Sequence, residues 1–240
     1  MSTPRFFYPA PLVGQTQPGL PEPMAHHAQH VLRLGPGQHV VLFDGHGGEY
    51  PGVLHSSGTG LYVQLAGHDP VERELTGQLV LLQGLASGDK MDWIVEKAVE
   101  LGVSELQPIT AQRSVLRLAG ERLGKRMARW QAIVQSASAQ CGRNRLMRVH
   151  APVSLADALA QARGTVLFCD PEGGQALSQA LADAPARLGL LIGPEGGWSD
   201  QEHALARQHG LLPIRFGPRV LRTETAGMAL AVACTTLLGW

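Results

Sequence analysis

A chain of 240 residues, 44% apolar and 17% charged, has room for one large domain or for a small and a medium one with a full core, and is ordinary for a globular protein. Twenty Lys and Arg balance twenty Asp and Glu, so the net charge of zero gives no overall attraction to nucleic acid or to an anionic membrane. The start, Met1-Ser2-Thr3-Pro4-Arg5, lacks the apolar stretch of a signal peptide, and no uncharged run is long enough to cross a bilayer, so a cytoplasmic protein with no membrane partner is expected. Cys141, Cys169 and Cys234 are scattered and odd in number, which excludes a disulfide framework and a C-x-x-C metal site.

Up to about residue 72 the pattern is β. Gln38 to Phe43, Gly48 to His55 and Gly60 to Ala66 are short runs rich in Val, Leu, Tyr and Phe, separated by the turns Gly45-His46-Gly47-Gly48 and Ser57-Gly58-Thr59-Gly60. Repeats of about ten residues predict a small barrel. The region holds seven of the ten histidines, and His26 or His27 shares a helical face with His30. Without a cysteine or an H-E-x-x-H pattern these read as surface histidines on a short helix, and no metal site is expected.

Gly67-His68-Asp69-Pro70 with Glu72-Arg73-Glu74 is the expected linker, because polarity rises there and periodicity stops. Beyond it, strands and helices alternate. Gln78 to Leu85 is a continuous apolar strand, followed by a helix from Asp89 to Leu101 with Met91, Ile94, Val95, Ala98 and Val99 inward. A strand near Ser104 to Ile109, a helix over Glu121 to Ala139 and a strand near Leu146 to His150 come next. Then Ser154 caps a helix to Ala162, Thr165 to Cys169 is a strand, and Gln175 to Ala182 is a helix. Such alternation predicts an α/β domain with a mostly parallel sheet covered on both faces.

Two strand-loop-helix units close the chain. Leu190-Leu191-Ile192 breaks into Gly193-Pro194-Glu195-Gly196-Gly197-Trp198, and Ser199 to Glu202 forms a capping box. Leu211 to Phe216 then reads as a strand before Gly217-Pro218-Arg219-Val220-Leu221-Arg222, with Thr223 as cap of a last helix over Glu224 to Leu238. Glycine-bearing loops at the ends of successive strands make a cleft for a small ligand. Neither G-x-G-x-x-G nor G-x-x-x-x-G-K-[ST] is present, which excludes the common dinucleotide and triphosphate cradles. Backbone-rich loops with one carboxylate suit a ligand such as an adenosine held by main-chain groups.

Charge is unevenly spread. Between Arg113 and Arg148 nine Lys and Arg (Arg113, Arg117, Arg122, Lys125, Arg126, Arg129, Arg143, Arg145, Arg148) meet one acid, Glu121, giving +8 against −8 for the remainder. A block of one sign collects a phosphate backbone, or is simply a solvated helix face.

The two loops resemble the cofactor loops of the SPOUT (trefoil-knotted) methyltransferases, and more narrowly those of the RsmE-type enzymes that methylate N3 of a uridine in 16S ribosomal RNA. Three further stretches fit that family: Val31 to Gly37 with Phe43-Asp44-Gly45, Glu96 to Val103, and Cys141-Gly142-Arg143-Asn144-Arg145, although Leu146-Met147 stands where Val-Pro is common. The resemblance implies a PUA-like RNA-binding β-barrel over residues 1–72 and a SPOUT domain with a C-terminal trefoil knot over residues 73–240. It implies S-adenosylmethionine as cofactor, with Ile192, Gly193, Pro194, Glu195 and Gly196 on one side and Phe216, Gly217, Arg219 and Leu221 opposite. It also implies 16S ribosomal RNA or the small ribosomal subunit as partner, a symmetric homodimer, and Arg5, Arg33, Arg113, Arg143 and Arg145 as RNA contacts. The residues up to 72 hold only two basic side chains, Arg5 and Arg33, against five acids.

Methylation at N3 requires a proton to leave a weakly acidic nitrogen. Arg222 is the expected catalytic residue, its guanidinium stabilising charge on the uracil oxygens; as a permanently charged group it is a poor base. A plain salt bridge from Arg222 to Glu224 or Glu195 is the alternative. A catalytically silent RNA- or ribosome-binding assembly protein, and an enzyme acting on a free nucleotide, are the competing functions.

Overall fold

The computed structural model describes residues 3–240 apart from Thr59, Val115, Arg117, Pro171, Glu172 and Leu212. Thr59 of the expected turn, Arg117 of the basic segment and Leu212 of the last expected strand therefore lie outside the described residues. Packing divides the chain into two compact units. The first comprises the residues up to Glu74 with Ser138–Leu146, and the second Leu75–Ala137 with Met147–Trp240.

In the first unit β1 (Arg5–Phe7), β2 (His39–Phe43), β3 (Tyr50–Ser57) and β4 (Gly60–Leu65) form a sheet in that order. β3 and β4 alternate buried and half-exposed residues, so Tyr50 and Leu54, and Leu61, Val63 and Leu65, enter a core with Phe6, Leu12, Val40 and Leu42. β1 is not legible as a strand in the sequence: it has three residues and pairs in parallel with β2, Phe7 opposite Phe43. α1 (Glu22–His26) begins after Pro21, with Pro23 tolerated in its first turn, and runs into a π-helical turn over His27–Val31. The His26 and His30 rings lie 4.7 Å apart on it. Residues 66–77 carry no helix or strand apart from the bridge of Asp69 to Glu49.

The second unit is a parallel sheet sandwiched by helices. Its strands are β5 (Gln78–Gly84), β6 (Glu105–Thr110), β7 (Arg148–Val149), β8 (Val153–Ser154), β9 (Thr165–Cys169), β10 (Arg187–Ile192) and β11 (Pro213–Ile214). The order is β11-β9-β10-β5-β6-β7, with β8 also on β6, and all of these pairings are parallel. The helices are α2 (Lys90–Glu100), α3 (Gly120–Cys141), α4 (Leu155–Gln161), α5 (Leu177–Ala180), α6 (Asp200–Gln208) and α7 (Thr223–Leu238). Val80 and Leu82 of β5 join Leu191, Phe168 and residues of α4 and α6 in one core, while α7 packs on β5 and β10 and against α2. The inward stripe expected on α2 is buried in full.

Three expected elements are shorter than their sequence pattern. The strand near Leu146 to His150 is reduced to Arg148–Val149, because Arg145 bridges Gly45 and His46 and the Leu146 side chain packs by Gly45 in the first unit. The last strand is cut to Pro213–Ile214, since Arg215 and Phe216 already belong to the loop beyond it. The helix over Gln175 to Ala182 is one turn, Leu177–Ala180, because Gln175 is used to bridge Ile214.

Candidate active site

β5, β6, β9, β10 and β11 all end on the same side of the sheet, and the loops after β9, β10 and β11, with Arg113 beyond β6, enclose a cleft of ≈ 520 Å³. That lies within the roughly 300–1,000 Å³ of sites for drug-sized ligands, at the carboxyl edge where open α/β sheets bind them. Ile192, Gly193, Pro194, Glu195, Phe216, Gly217, Arg219, Leu221 and Arg222 all line it. Gly196 does not: a Cβ there would lie 2.9 Å from both Cβ and the carbonyl oxygen of Arg113, so its missing side chain makes room for protein. Arg113, expected as an RNA contact, is itself on the cleft wall.

The first loop is held by groups distant in sequence. Gly84 ends β5 so close to it that a Cβ would sit 2.5 Å from the Pro194 nitrogen, which makes residue 84 a glycine for reasons of space. Glu195 Oε1 accepts from the Ser87 backbone nitrogen (3.0 Å), the Ser87 hydroxyl (2.7 Å) and Lys90 Nζ (3.1 Å). Burial pushes the Glu195 carboxyl up, but the Ser87 bonds and Lys90 outweigh it and hold it down to about 2. Its stabilising contribution is thus complete above the ordinary carboxylate range and is lost only as pH falls toward about 2. Ser199 and Glu202 form the capping box expected at the start of α6.

The second loop is anchored where it enters α7. Thr223, the expected cap of this helix, is instead its first helical residue, and Arg222 is the N-cap by its backbone. The buried Thr223 hydroxyl donates to the Gly193 carbonyl and accepts from Gln83 Nε2, so loop one, loop two and β5 meet at one side chain. The cap role falls to the backbone because a hydroxyl committed to Gly193 is not available to the helix.

Among the described residues two polar atoms of the cleft side chains are buried without a hydrogen-bond partner, the acceptor Glu195 Oε2 and the donor Trp198 Nε1. Orphaned groups in a cleft are what a ligand with both donors and acceptors would satisfy. The Arg222 guanidinium is exposed at the rim, and among the described residues it makes no hydrogen bond or ion pair; Glu195 and Glu224 both face Lys90 instead. The alternative of a simple Arg222 salt bridge is therefore absent.

Sequence reasoning missed Cys169, Asp170, Trp198, His203 and Arg215 on this wall, and Ser87 and Lys90 behind it. Cys169 and Asp170 end β9, a strand legible in the sequence, and the carboxyl-end rule applied to every strand finds them. Burial and the neighbouring Asp170 carboxylate push the Cys169 thiol up to about 11, so it is no thiolate nucleophile.

Four arginines of the first unit, Arg5, Arg73, Arg143 and Arg145, are paired with acids. Arg5 is bonded to Glu49 and Asn144, and Arg73 reaches Glu49 and the Gly142 carbonyl, both at 3.0 Å. Burial alone would raise the Glu49 carboxyl; Arg5 and Arg73 hold it below its ordinary range. Arg143 is buried in a two-point ion pair with Glu74, and Arg145, half exposed, pairs with Glu72 at 2.9 Å. The scarcity of acid around Arg143 and Arg145 along the chain does not hold in space, because the carboxylates come from residues about seventy positions earlier. Arg33 is exposed, with a left-handed φ of 55°.

The profile of the RNA methyltransferase domain matches residues 73–235, and that of the RNA methyltransferase PUA domain matches residues 20–65. The ribosomal RNA small subunit methyltransferase E of Synechocystis is 32% identical over 89% of this chain and 71% of its own length; that of Bacillus subtilis is 32% identical over 84% and 82%. Among solved structures, the ribosomal RNA small subunit methyltransferase E from Neisseria gonorrhoeae, bound to S-adenosyl methionine, superposes with a TM-score of 0.89 at 34% identity over 98% of both chains. A Legionella pneumophila methyltransferase in complex with the same cofactor gives 0.88 at 31%, again over 98% of both. A cleft between two backbone-rich loops at the carboxyl edge of a parallel sheet, on a chain that matches these proteins nearly end to end, places this protein in the RNA methyltransferase family, with the ribosomal RNA small subunit methyltransferase E proteins.

Proposed function

We propose that this chain transfers a methyl group from S-adenosylmethionine to N3 of a uridine in 16S ribosomal RNA. The observation that carries the proposal is the cleft itself, in which two loops offer main-chain groups and the orphaned Glu195 Oε2 and Trp198 Nε1, with a free guanidinium at the rim. When bound, the cofactor supplies an electrophilic methyl on a sulfonium. The protein must then align the acceptor and stabilise the charge left as the N3 proton departs. Arg222 is suited to that stabilisation. Fixed at the start of α7 by its backbone, it extends a planar fork of donors that matches two carbonyl oxygens. Ile192, Gly193, Pro194, Glu195, Phe216, Gly217, Arg219 and Leu221 hold the cofactor, and Gly196 shapes the loop through its fit to Arg113.

For RNA we propose Arg33, Arg113 and Arg145 as phosphate contacts. Arg5 and Arg143 then act one step back, holding the loop that carries Arg145 within the first unit. We also propose a homodimer through α7, whose outer side leaves Val232 and Leu237 about half exposed, with Trp93 of the adjoining α2 at 42%. The trefoil knot is proposed for the last part, supported by the return of the chain from the edge strand β11 to the central β5 and β10 at Thr223. Among the described residues no helix is long and apolar enough to cross a membrane, and we place the enzyme in the cytoplasm with its RNA.

Calorimetric titration of the purified protein with S-adenosylhomocysteine is the test. Saturable heat with one site per chain is expected. No heat would favour a silent RNA-binding protein instead.

A further inference from the structure

Lys90 lies at the start of α2, outside both cofactor loops, yet its ammonium is hydrogen-bonded to the first loop and at ion-pair distance, without a hydrogen bond, from the start of α7. It is 3.1 Å from Glu195 Oε1 on the first loop and 3.9 Å from Glu224 Oε2 in the first turn of α7, two residues after Arg222. Ser87, three residues earlier, adds two hydrogen bonds to the same Glu195 oxygen. Three donors on one oxygen leave the carboxylate with a single orientation, in which Oε2 is buried and unpartnered in a residue of the cleft wall. A committed oxygen and a vacant one make Glu195 an oriented acceptor for a hydroxyl or ammonium donor on the ligand.

We propose that Lys90, assisted by Ser87, is a positioning residue of the cofactor cleft. It aims Glu195 Oε2 at the bound ligand and fixes the first loop relative to the start of α7, where Arg222 is seated. This rests on the cofactor role of the cleft proposed above. Lys90 touches no reacting atom, so its removal weakens cofactor binding more than it slows the chemical step. The charged and titratable side chains that border the cleft with Glu195 are Lys90 on α2, Glu224 on α7 and His203 on α6, with Arg113, Asp170, Arg215, Arg219 and Arg222 on the wall. With Lys90 and Ser87 in place the carboxylate stays ionised far into acid, so Glu195 adds no pH dependence to cofactor affinity across the neutral range. Without the two side chains the Ser87 backbone N–H still donates, but burial acts with less opposition, the carboxyl's pKa rises, and affinity falls more as pH is lowered.

The test compares Lys90→Met, Lys90→Arg and the double variant Ser87→Ala with Lys90→Met, using calorimetry with S-adenosylhomocysteine at pH 5.5 and pH 7.5 and melting curves. Lys90→Met is expected to bind about tenfold more weakly at pH 7.5, the size of one lost charge-assisted hydrogen bond. Its KM for S-adenosylmethionine should rise more than kcat falls, and Lys90→Arg should recover most of the affinity. The double variant should lose more affinity between pH 7.5 and pH 5.5 than the parent does. Unchanged affinity in Lys90→Met, or a loss that Lys90→Arg does not recover and that has no pH dependence in the double variant beyond the parent's, overturns the proposal. If Lys90→Met fails to fold, Ser87→Ala alone decides, with a severalfold loss expected and parental affinity overturning it. Absence of binding by the parent protein would instead sink the cofactor reading, so the two failures are distinguishable.

Discussion

Replacing Arg222 with lysine is expected to cut turnover by about 10²- to 10³-fold, the effect of removing one preorganised donor from a developing oxyanion. Affinity for S-adenosylhomocysteine and the melting temperature should stay at parental values, because the guanidinium makes no bond within the protein among the described residues and sits exposed at the rim. Lysine keeps the charge but loses the planar fork that can address two carbonyl oxygens at once. An effect on kcat with little effect on the cofactor KM is the pattern of an interaction made in the transition state. Parental turnover in Arg222→Lys would remove the residue from the mechanism.

The second large effect concerns stability. Asp92 of α2 is buried and accepts from Arg126 (3.1 Å), from Arg129 and from the Nε1 of the fully buried Trp130, all on α3. Asp92→Ala would leave the indole N–H and a mostly buried guanidinium without their acceptor, at a cost of about 3 kcal/mol. For a protein of this size that corresponds to a melting point lower by roughly 6–12 °C. Arg129 is largely solvated and contributes little of this. Asp92→Asn keeps an oxygen for Trp130 and should lose about half as much. A shift below about 2 °C for Asp92→Ala would show that the two helices are held by their apolar contacts alone.

The same cluster explains why the +8 segment overstates the available field. Arg126 and Arg129 face Asp92, Arg143 is spent on Glu74, and the exposed Arg145 is partly offset by Glu72. Counting charges along the chain cannot see acids that arrive from elsewhere in space. What is legible follows from local pattern: the apolar run of β5, the inward stripe of α2, the Ser199 capping box and the two glycine-bearing loops that become one cleft. What is not legible depends on tertiary partners. β1 is a strand only because β2 lies beside it, Thr223 gives up capping because Gly193 and Gln83 are within reach, and Gly84 is small because Pro194 crosses it. Gly196 shows the same limit, since a side chain there would meet Arg113, which arrives from more than eighty residues earlier.

Nucleoside mass spectrometry of 16S ribosomal RNA, from cells with and without this protein, tests the account most directly. One 3-methyluridine should vanish when the protein is absent, return with the parent chain and stay missing with Arg222→Lys. An unchanged modification map would contradict the proposed reaction.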